Sequence, residues 1–478
     1  MDILVWSMNS FGFFVQDDWR ATRKLVLNLG LRYDRYGAFV AKGKFADTPA
    51  AFFNLDGLLD PANFIWGPLR DPMKPMKSDN MNLGPRFGFA YTADSRGNFV
   101  VRGGFGVNFS GFDAAHWENQ VGRRQELPYN LTFSRAESAA LGLRFPVYNE
   151  DVVPLILAQN RPARPSARVN PNFESPYAMN YTLGIQRALT STLVLETAFV
   201  GSRGVKFNMV RVFNKTDRLT GSRPNPADIQ GSYIDNSQQT NYNSWQTSLK
   251  QRLTRGLALN VHHTWGKALS YTGGDVAPGY MGDTRGSIED FNNVKIERSL
   301  STGDAAHSVS IDWVYQAPTP FANSAAGRQV LGGWQVSGIW KARTGLPLGV
   351  SQTGGRPDII DFGNAVNTNC CSFGNLQYLN PAAFQRVTVI TASGQTFQRG
   401  HANSAPLRGP GIWNVDLSLG KSFALRENTK LELKADMLNA LNHTQYTAVA
   451  TNLTGIGFGG VTGTASARVV QLQLRLAF

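Results

Sequence analysis

Residues Ala467–Phe478 read ARVVQLQLRLAF. Val470, Leu472, Leu474, Leu476 and Phe478 alternate there with Val469, Gln471, Gln473, Arg475 and Ala477. Successive side chains of an extended chain point to opposite sides, so this spacing builds a strand with one apolar and one polar face. An amphipathic helix would repeat every three or four residues, and a strand buried on both faces would be apolar throughout. The segment is therefore a strand with an apolar medium on one side and water on the other.

The same period of two runs through the chain. Leu25, Leu27, Leu29, Leu31 and Tyr33 share a face in LVLNLGLRYDRY, as do Phe87, Phe89 and Tyr91 in PRFGFAY. It returns at Leu193, Leu195 and Phe199, at Leu257, Leu259, Val261 and Trp265, and at Val309, Ile311, Trp313 and Tyr315. Trp413, Val415, Leu417 and Leu419, then Leu431, Leu433 and Met437, carry it toward the end. The opposite positions are polar: Asn28, Gly30, Arg32 and Asp34, then Asn414, Asp416 and Ser418, then Glu432, Lys434 and Asp436. The pattern predicts roughly 13 to 16 strands of about 8–12 residues and no long helix.

The connections divide into two kinds. Short turns such as TADSRGN (92–98) and LTRG (253–256) alternate with long polar stretches at residues 37–83, 110–176, 214–243, 268–306, 345–411 and 441–466. Soluble domains rarely carry repeated irregular loops of that length. An outer-membrane barrel does, with tight periplasmic turns below and long extracellular loops above. Aromatics near the strand ends (Trp19, Tyr33, Tyr91, Trp265, Trp340 and Trp413) match the belts at a bilayer's two interfaces. The expected fold class is all-β: a transmembrane antiparallel β-barrel.

Composition agrees. The 478 residues include 48 Gly and 29 Phe, are 42 % hydrophobic and only 17 % charged, which suits neither a disordered nor a helical chain. No apolar run of about 18 residues could cross a bilayer as a helix. The net charge of +13 is spread without a basic block or an aromatic-basic recognition motif, so nucleic acid is not an expected partner. Residues 1–20 show no signal-peptide pattern.

At FFVQDDWRATRKLVLNLGLRYDRY (13–36) the chain resembles TonB-dependent outer-membrane receptors, in particular those with a carboxypeptidase-regulatory-like N-terminal domain. The resemblance continues in order through LGPRFGFAYTADSRGNFVVRGGFGVNF, SPYAMNYTLGIQRALTSTLVLETAFVGSRG, YNSWQTSLKQRLTRGLALNVHHTWGKALSY, LGGWQVSGIWKARTGLPLGV, LRGPGIWNVDLSLGKSF and LELKADMLNALNHTQY. It implies that residues 1–478 are the C-terminal part of a barrel of about 22 strands in a Gram-negative outer membrane. Signal peptide, regulatory-like domain and plug would lie outside the chain. It further implies uptake of a scarce solute (an iron chelate, a cobalamin-like cofactor or an oligosaccharide), with TonB acting only through the plug. Val470, Leu472, Leu474, Leu476 and Phe478 then resemble the C-terminal signal read by the barrel-assembly machinery.

Sites of covalent chemistry are not expected. GIGFGG (455–460) matches a dinucleotide fingerprint literally, but lacks the strand before and helix after that would seat a pyrophosphate, so its glycines are expected in a loop. His262 and His263 fall on opposite faces of one strand and cannot share an ion. His307 has Asp304 nearby as a strand-end polar pair, and no GxSxG elbow occurs. Asp275, Asp283, Glu289 and Asp290 collect on one loop without calcium-loop spacing, and read as a solvated charged loop. Adjacent Cys370 and Cys371 are compatible with a ring disulfide or with two loop thiols. No cofactor or enzymatic activity is expected. The alternatives from other classes are a structural or adhesive outer-membrane barrel and a soluble secreted β-rich module.

Overall fold

A computed structural model describes residues 5–37, 40–42, 49–52, 65–68, 79–111, 135–140, 142, 167–170, 172–214, 222–226, 231–271, 294–321, 323–352, 356–367, 369–371, 374–386, 407–426 and 429–478. Its long strands are β1 (Ser10–Trp19), β2 (Leu25–Tyr36), β3 (Asp79–Thr92), β4 (Phe99–Phe109), β5 (Tyr177–Ala188), β6 (Leu193–Phe213) and β7 (Gly231–Thr254). They continue as β8 (Leu257–Tyr271), β9 (His307–Gln316), β10 (Trp334–Arg343), β11 (Ile412–Arg426), β12 (Thr429–Leu438) and β13 (Val469–Ala477). Each pairs antiparallel with the next, a simple meander that four short strands enlarge to a 17-stranded sheet. Among the described residues no helix is long and apolar enough to cross a membrane, which says nothing of strands.

The register keeps the two faces separate across the whole sheet. Trp19 lies opposite Leu27, and the row runs on through Phe89, Gly103, Leu183, Phe199, Trp245, Trp265 and His307, one outward residue per strand. Trp19, Leu183, Phe199, Trp245 and Trp265 remain open, Leu183 by 55 % and Trp265 by 59 %, and only an apolar medium makes so broad an exposed face tolerable. The inward face is joined by polar contacts between neighbours: Asn28 to Asp18 (2.5 Å), Arg86 to Asn108 (2.8 Å), Asn260 to Asp312 (2.7 Å) and Lys434 to Asp436 (3.0 Å). Where the outward face lacks a side chain, an aromatic covers it: the Tyr181 ring lies across Gly201, and its hydroxyl donates to Asn243 Oδ1 at 2.7 Å.

Local chemistry sets the lower turns. Thr22 Oγ1 accepts from the Leu25 amide at 3.0 Å, and Asp94 accepts from the Asn98 and Phe99 amides at 3.1 and 3.2 Å. Arg255 (φ 51°) and Gly256 (φ 83°) form the tight β7–β8 turn, whose two left-handed residues match the twist of the flanking strands. One lower connection is longer, residues 317–333, which carries a π-helical turn at Gly327–Leu331. Lys421, outward on β11, donates its Nζ to the Gly332 carbonyl and lies 4.7 Å and 5.4 Å from the centres of Phe423 and Trp334. The ammonium thus escapes the apolar face by reaching back to the rim.

Strands run a few residues into the expected loops 37–83 and 268–306, and much further into 214–243. Residues 231–243, placed by sequence in a loop, belong to β7, and β6 and β7 run to 21 and 24 residues. A bilayer uses about 9–11 residues of a tilted strand, so this pair continues well above the membrane. There Met209, Phe213, Tyr233 and Ile234 are buried, and Arg211 pairs with Asp235 in the interior of the arm. The short strand Ala167–Val169 joins it in parallel.

The meander has two ends. β1 pairs with β2 and β13 with β12, and among the described residues no pairing joins β1 to β13. Every residue of β1 is exposed, as are eight of nine in β13.

Candidate functional site

The connections β10–β11 and β12–β13 fold together above the strands. Pro347–Leu348 pairs with Leu407–Arg408, Asp358–Ile359 with Phe384–Gln385, and Tyr446–Val449 with Val461–Thr464. Between them Val350, Ala365, Leu379, Ala383, Phe384, Leu407 and Phe458 form a buried core. The glycines of 455–460 serve this core rather than a nucleotide: Phe458 packs edge-on to Phe384 at 5.3 Å, while the Gly459 carbonyl accepts from the Tyr378 and Leu379 amides. Gly459 (φ 80°) sits so close to Leu379 and Gln377 that no side chain fits. Tyr378 donates its hydroxyl to the Arg408 carbonyl at 2.8 Å, and burial pushes its phenol up from the usual value.

Three tethers fix this unit to the barrel. Asp304 accepts from Arg408 and from the Ala268 amide (2.5 Å), while Arg408 also donates to the carbonyls of Asp304 (3.0 Å) and Gly345 (3.1 Å). Arg356 meets buried Glu297 at 2.7 Å. In the third, Gln445 acts as a strand in miniature, accepting from the Trp413 amide and donating to the Trp413 carbonyl. Asp416 accepts from the Asn439 amide at 2.8 Å, and Asn439 Oδ1 accepts from the amide of His443, whose ring lies tilted 4.0 Å from Trp413. The NALNHTQ residues thus lock the rim of β11–β12.

Beneath the unit opens a cleft of about 1030 Å³. The strand residues that line it are Arg343, Ile412, Asn414, Asp416, Leu438 and Val469. By register all six occupy the inward, polar face. Leu346, Leu348 and Val449 form the apolar wall opposite. A second cleft of about 530 Å³ shares Asp416, Leu438 and Val469 and continues down the inward face past Lys434, Asp436 and Gln471. The two make one trough that descends from the loops along the strands. It offers a guanidinium, carboxylates, amides and an apolar wall, which suits capture of an amphiphilic solute of drug-like size or larger.

The other sequence-predicted residues fall as follows. Asp304 is committed to Arg408, so the expected pairing with His307 is overturned: the buried carboxylate takes the stronger, charge-assisted partner. His307 instead stacks on His263, Nδ1 to Nε2 at 3.2 Å, beside Trp265. His262 points inward and His263 outward. Cys370 and Cys371 are disulfide-bonded. The carboxylates Asp275, Asp283, Glu289 and Asp290 lie outside the described residues. No group of three or more metal-ligating side chains occurs among the described residues. Val470, Leu472, Leu474 and Leu476 line one face of β13 and Phe478 directly follows the strand, the five exposed by 53 % to 95 %.

Residues 4–471 match the family described as outer membrane beta barrel domain. Among curated proteins none matches the chain. Solved structures resemble it at low identity. The outer membrane transporter YddB from Escherichia coli aligns with TM-score 0.48 and 12 % identity over 98 % of this chain and 45 % of its own. The pyoverdine outer membrane receptor FpvA from Pseudomonas aeruginosa gives 0.46 and 14 % over 99 % and 43 %. The siderophore receptor PirA from Acinetobacter baumannii gives 0.43 and 9 % over 98 % and 46 %. The chain spans less than half the length of each of these structures. The match covers nearly the whole chain, and the chain belongs to the outer membrane β-barrel domain family.

Proposed function

We propose that the chain forms wall and mouth of an outer-membrane uptake receptor for a scarce solute, such as an iron chelate, a cobalamin-like cofactor or an oligosaccharide. The observation that carries this reading is the trough. An ordered loop unit stands over a cleft whose strand residues all face inward, and the cleft continues along that polar face. Passage is energised by TonB acting on a plug in the lumen. No residue is assigned covalent chemistry, and the chain is read as a transporter, not an enzyme. Thirteen long strands among the described residues contribute to a larger barrel of about 22. The exposed face Val470, Leu472, Leu474, Leu476 and Phe478, at a strand whose outer edge has no partner strand among the described residues, supports a role as the segment read by the barrel-assembly machinery.

The test is uptake by cells producing the full-length gene product with the paired substitutions R343Q and D416N. Labelled ferric chelates, cobalamin and oligosaccharides serve as probes. The expected result is loss of accumulation of one solute class, with surface abundance and heat-modifiable mobility unchanged. Unchanged uptake of every class, together with loss of cell adhesion when residues 346–408 are deleted, would overturn the reading in favour of an adhesive barrel.

A further inference from the structure

Above the aromatic row, the outward face of β6–β8 changes character. Trp245 and Trp265 lie opposite one another. Two residues higher the outward pair is Asn243 and Lys267, and two higher again the row is Arg203, Asn241 and Leu269. The strand Arg298–Leu300 adds beside β8, setting Leu300 against Leu269 and Arg298 against Tyr271. Arg203, Gln239, Asn241, Leu269, Tyr271 and Arg298 line a pocket of about 200 Å³, and the cross-strand pair Thr240 and Ser270 between them completes its lining. By strand alternation the first six side chains share the side that carries Trp245 and Trp265, away from the lumen.

The position is specific in depth. Tryptophan belts sit at headgroup level, and two to six residues of a tilted strand climb roughly 5–15 Å beyond that level. The pocket therefore stands where the polar heads of outer-leaflet lipids lie. Arg203, Lys267 and Arg298 are exposed there, and among the described residues none of the three is engaged by a carboxylate. The nearby acids are taken: Glu174 by Lys206, Asp235 by Arg211 and Glu297 by Arg356. Three inter-strand spacings of about 4.8 Å set the Arg203 and Arg298 Cα atoms roughly 15 Å apart, with the pocket between them.

We infer that this outward pocket binds the phosphates of an outer-leaflet lipid. Arg203 and Arg298 each present a guanidinium fork to a phosphate, Asn241 and Gln239 donate to its remaining oxygens, and Lys267 meets the headgroup from below. The acyl chains then run down the apolar face past Trp245, Trp265 and Phe199. The lipid would brace the base of the β6–β7 arm from outside. The inference stands apart from solute uptake, since no residue of the pocket lines the trough.

The experiment uses full-length protein extracted from outer membranes and delipidated in a neutral detergent. Quenching of tryptophan fluorescence is followed on titration with diphosphoryl lipid A, with a fully dephosphorylated form of the same lipid, and with inorganic phosphate. The wild-type protein should bind the diphosphoryl lipid most tightly. R203Q/R298Q should weaken that binding by about tenfold or more, given the strength of charge-assisted bonds. R187Q, which removes an outward cation at the opposite rim, should leave it unchanged, and heat-modifiable mobility reports that each variant is folded. Equal affinity of R203Q/R298Q and wild type overturns the proposal. So does equal binding of the dephosphorylated lipid, which would reduce the contact to acyl chains. Saturation by inorganic phosphate at the same concentrations also overturns it, assigning the site to a free anion.

Discussion

Replacing Asp304 with alanine tests whether the loop unit is held by charge. The Asp304 side chain is 1 % exposed and Arg408 28 %. D304A strands the guanidinium on two carbonyls and leaves the Ala268 amide without its acceptor. Breaking a buried pair from one side costs about 3–5 kcal/mol, and the partial exposure of Arg408 puts D304A near the lower figure. R408A leaves a fully buried carboxylate with a single backbone donor, at a cost of about 4 kcal/mol. D304A/R408A removes both charges and should cost about 4–5 kcal/mol, less than the sum of the singles. The expected coupling is therefore about 2–3 kcal/mol. The assay is chemical denaturation in detergent micelles followed by tryptophan fluorescence, to which Trp413 at the rim beside the unit contributes. A coupling below about 0.5 kcal/mol would refute the reasoning, because independent sites add within that margin.

Other consequences are as direct. Burial raises the Tyr378 phenol above its ordinary 10.0, so the folded unit keeps a proton that the unfolded chain releases. That contribution is complete below about pH 10 and fades as pH rises through the raised value, and Y378F should abolish this alkaline loss in a proteolysis series. K421A removes both the rim hydrogen bond and the contacts with Trp334 and Phe423; it should destabilise the folded band by about 1–2 kcal/mol, and K421R should restore most of it. In G201A the new methyl displaces the Tyr181 ring, with an expected loss of about 1–3 kcal/mol, whereas G201A in a Y181A background should be nearly neutral by the same denaturation.

The transmembrane architecture was legible because two solvents impose it. Leu25 to Tyr33 and Val470 to Phe478 each face lipid on one side and water on the other, so hydropathy alternates with the pleat. Above the membrane that constraint ends. GSYIDNSQQTNYN (231–243) alternates poorly, since the β6–β7 arm buries residues from Tyr233 to Asp235 in a row, and its strands read as loop. The site was partly legible. The inward identities of Asn414 and Asp416 followed from alternation, and NALNHTQ was conspicuous by resemblance. Their partners were not: Arg408 and Asp304 are 104 residues apart, and Gln445 and Trp413 are 32 apart. Such pairings depend on where two loops meet, which no local period encodes.

The strict division of labour between the two faces bears on how such a protein changes over time. On the inward face Asn28, Arg86, Asn260 and Lys434 bond to neighbours on that same face, and none of these bonds reaches across to the lipid side. A lineage can therefore rewrite the lumen one cross-strand pair at a time while the surface that inserts into the membrane stays untouched. An insertion of one residue within a strand has the opposite effect, because it inverts every side chain beyond it. Length variation should thus accumulate in the connections, and chemical variation in alternate positions of the strands.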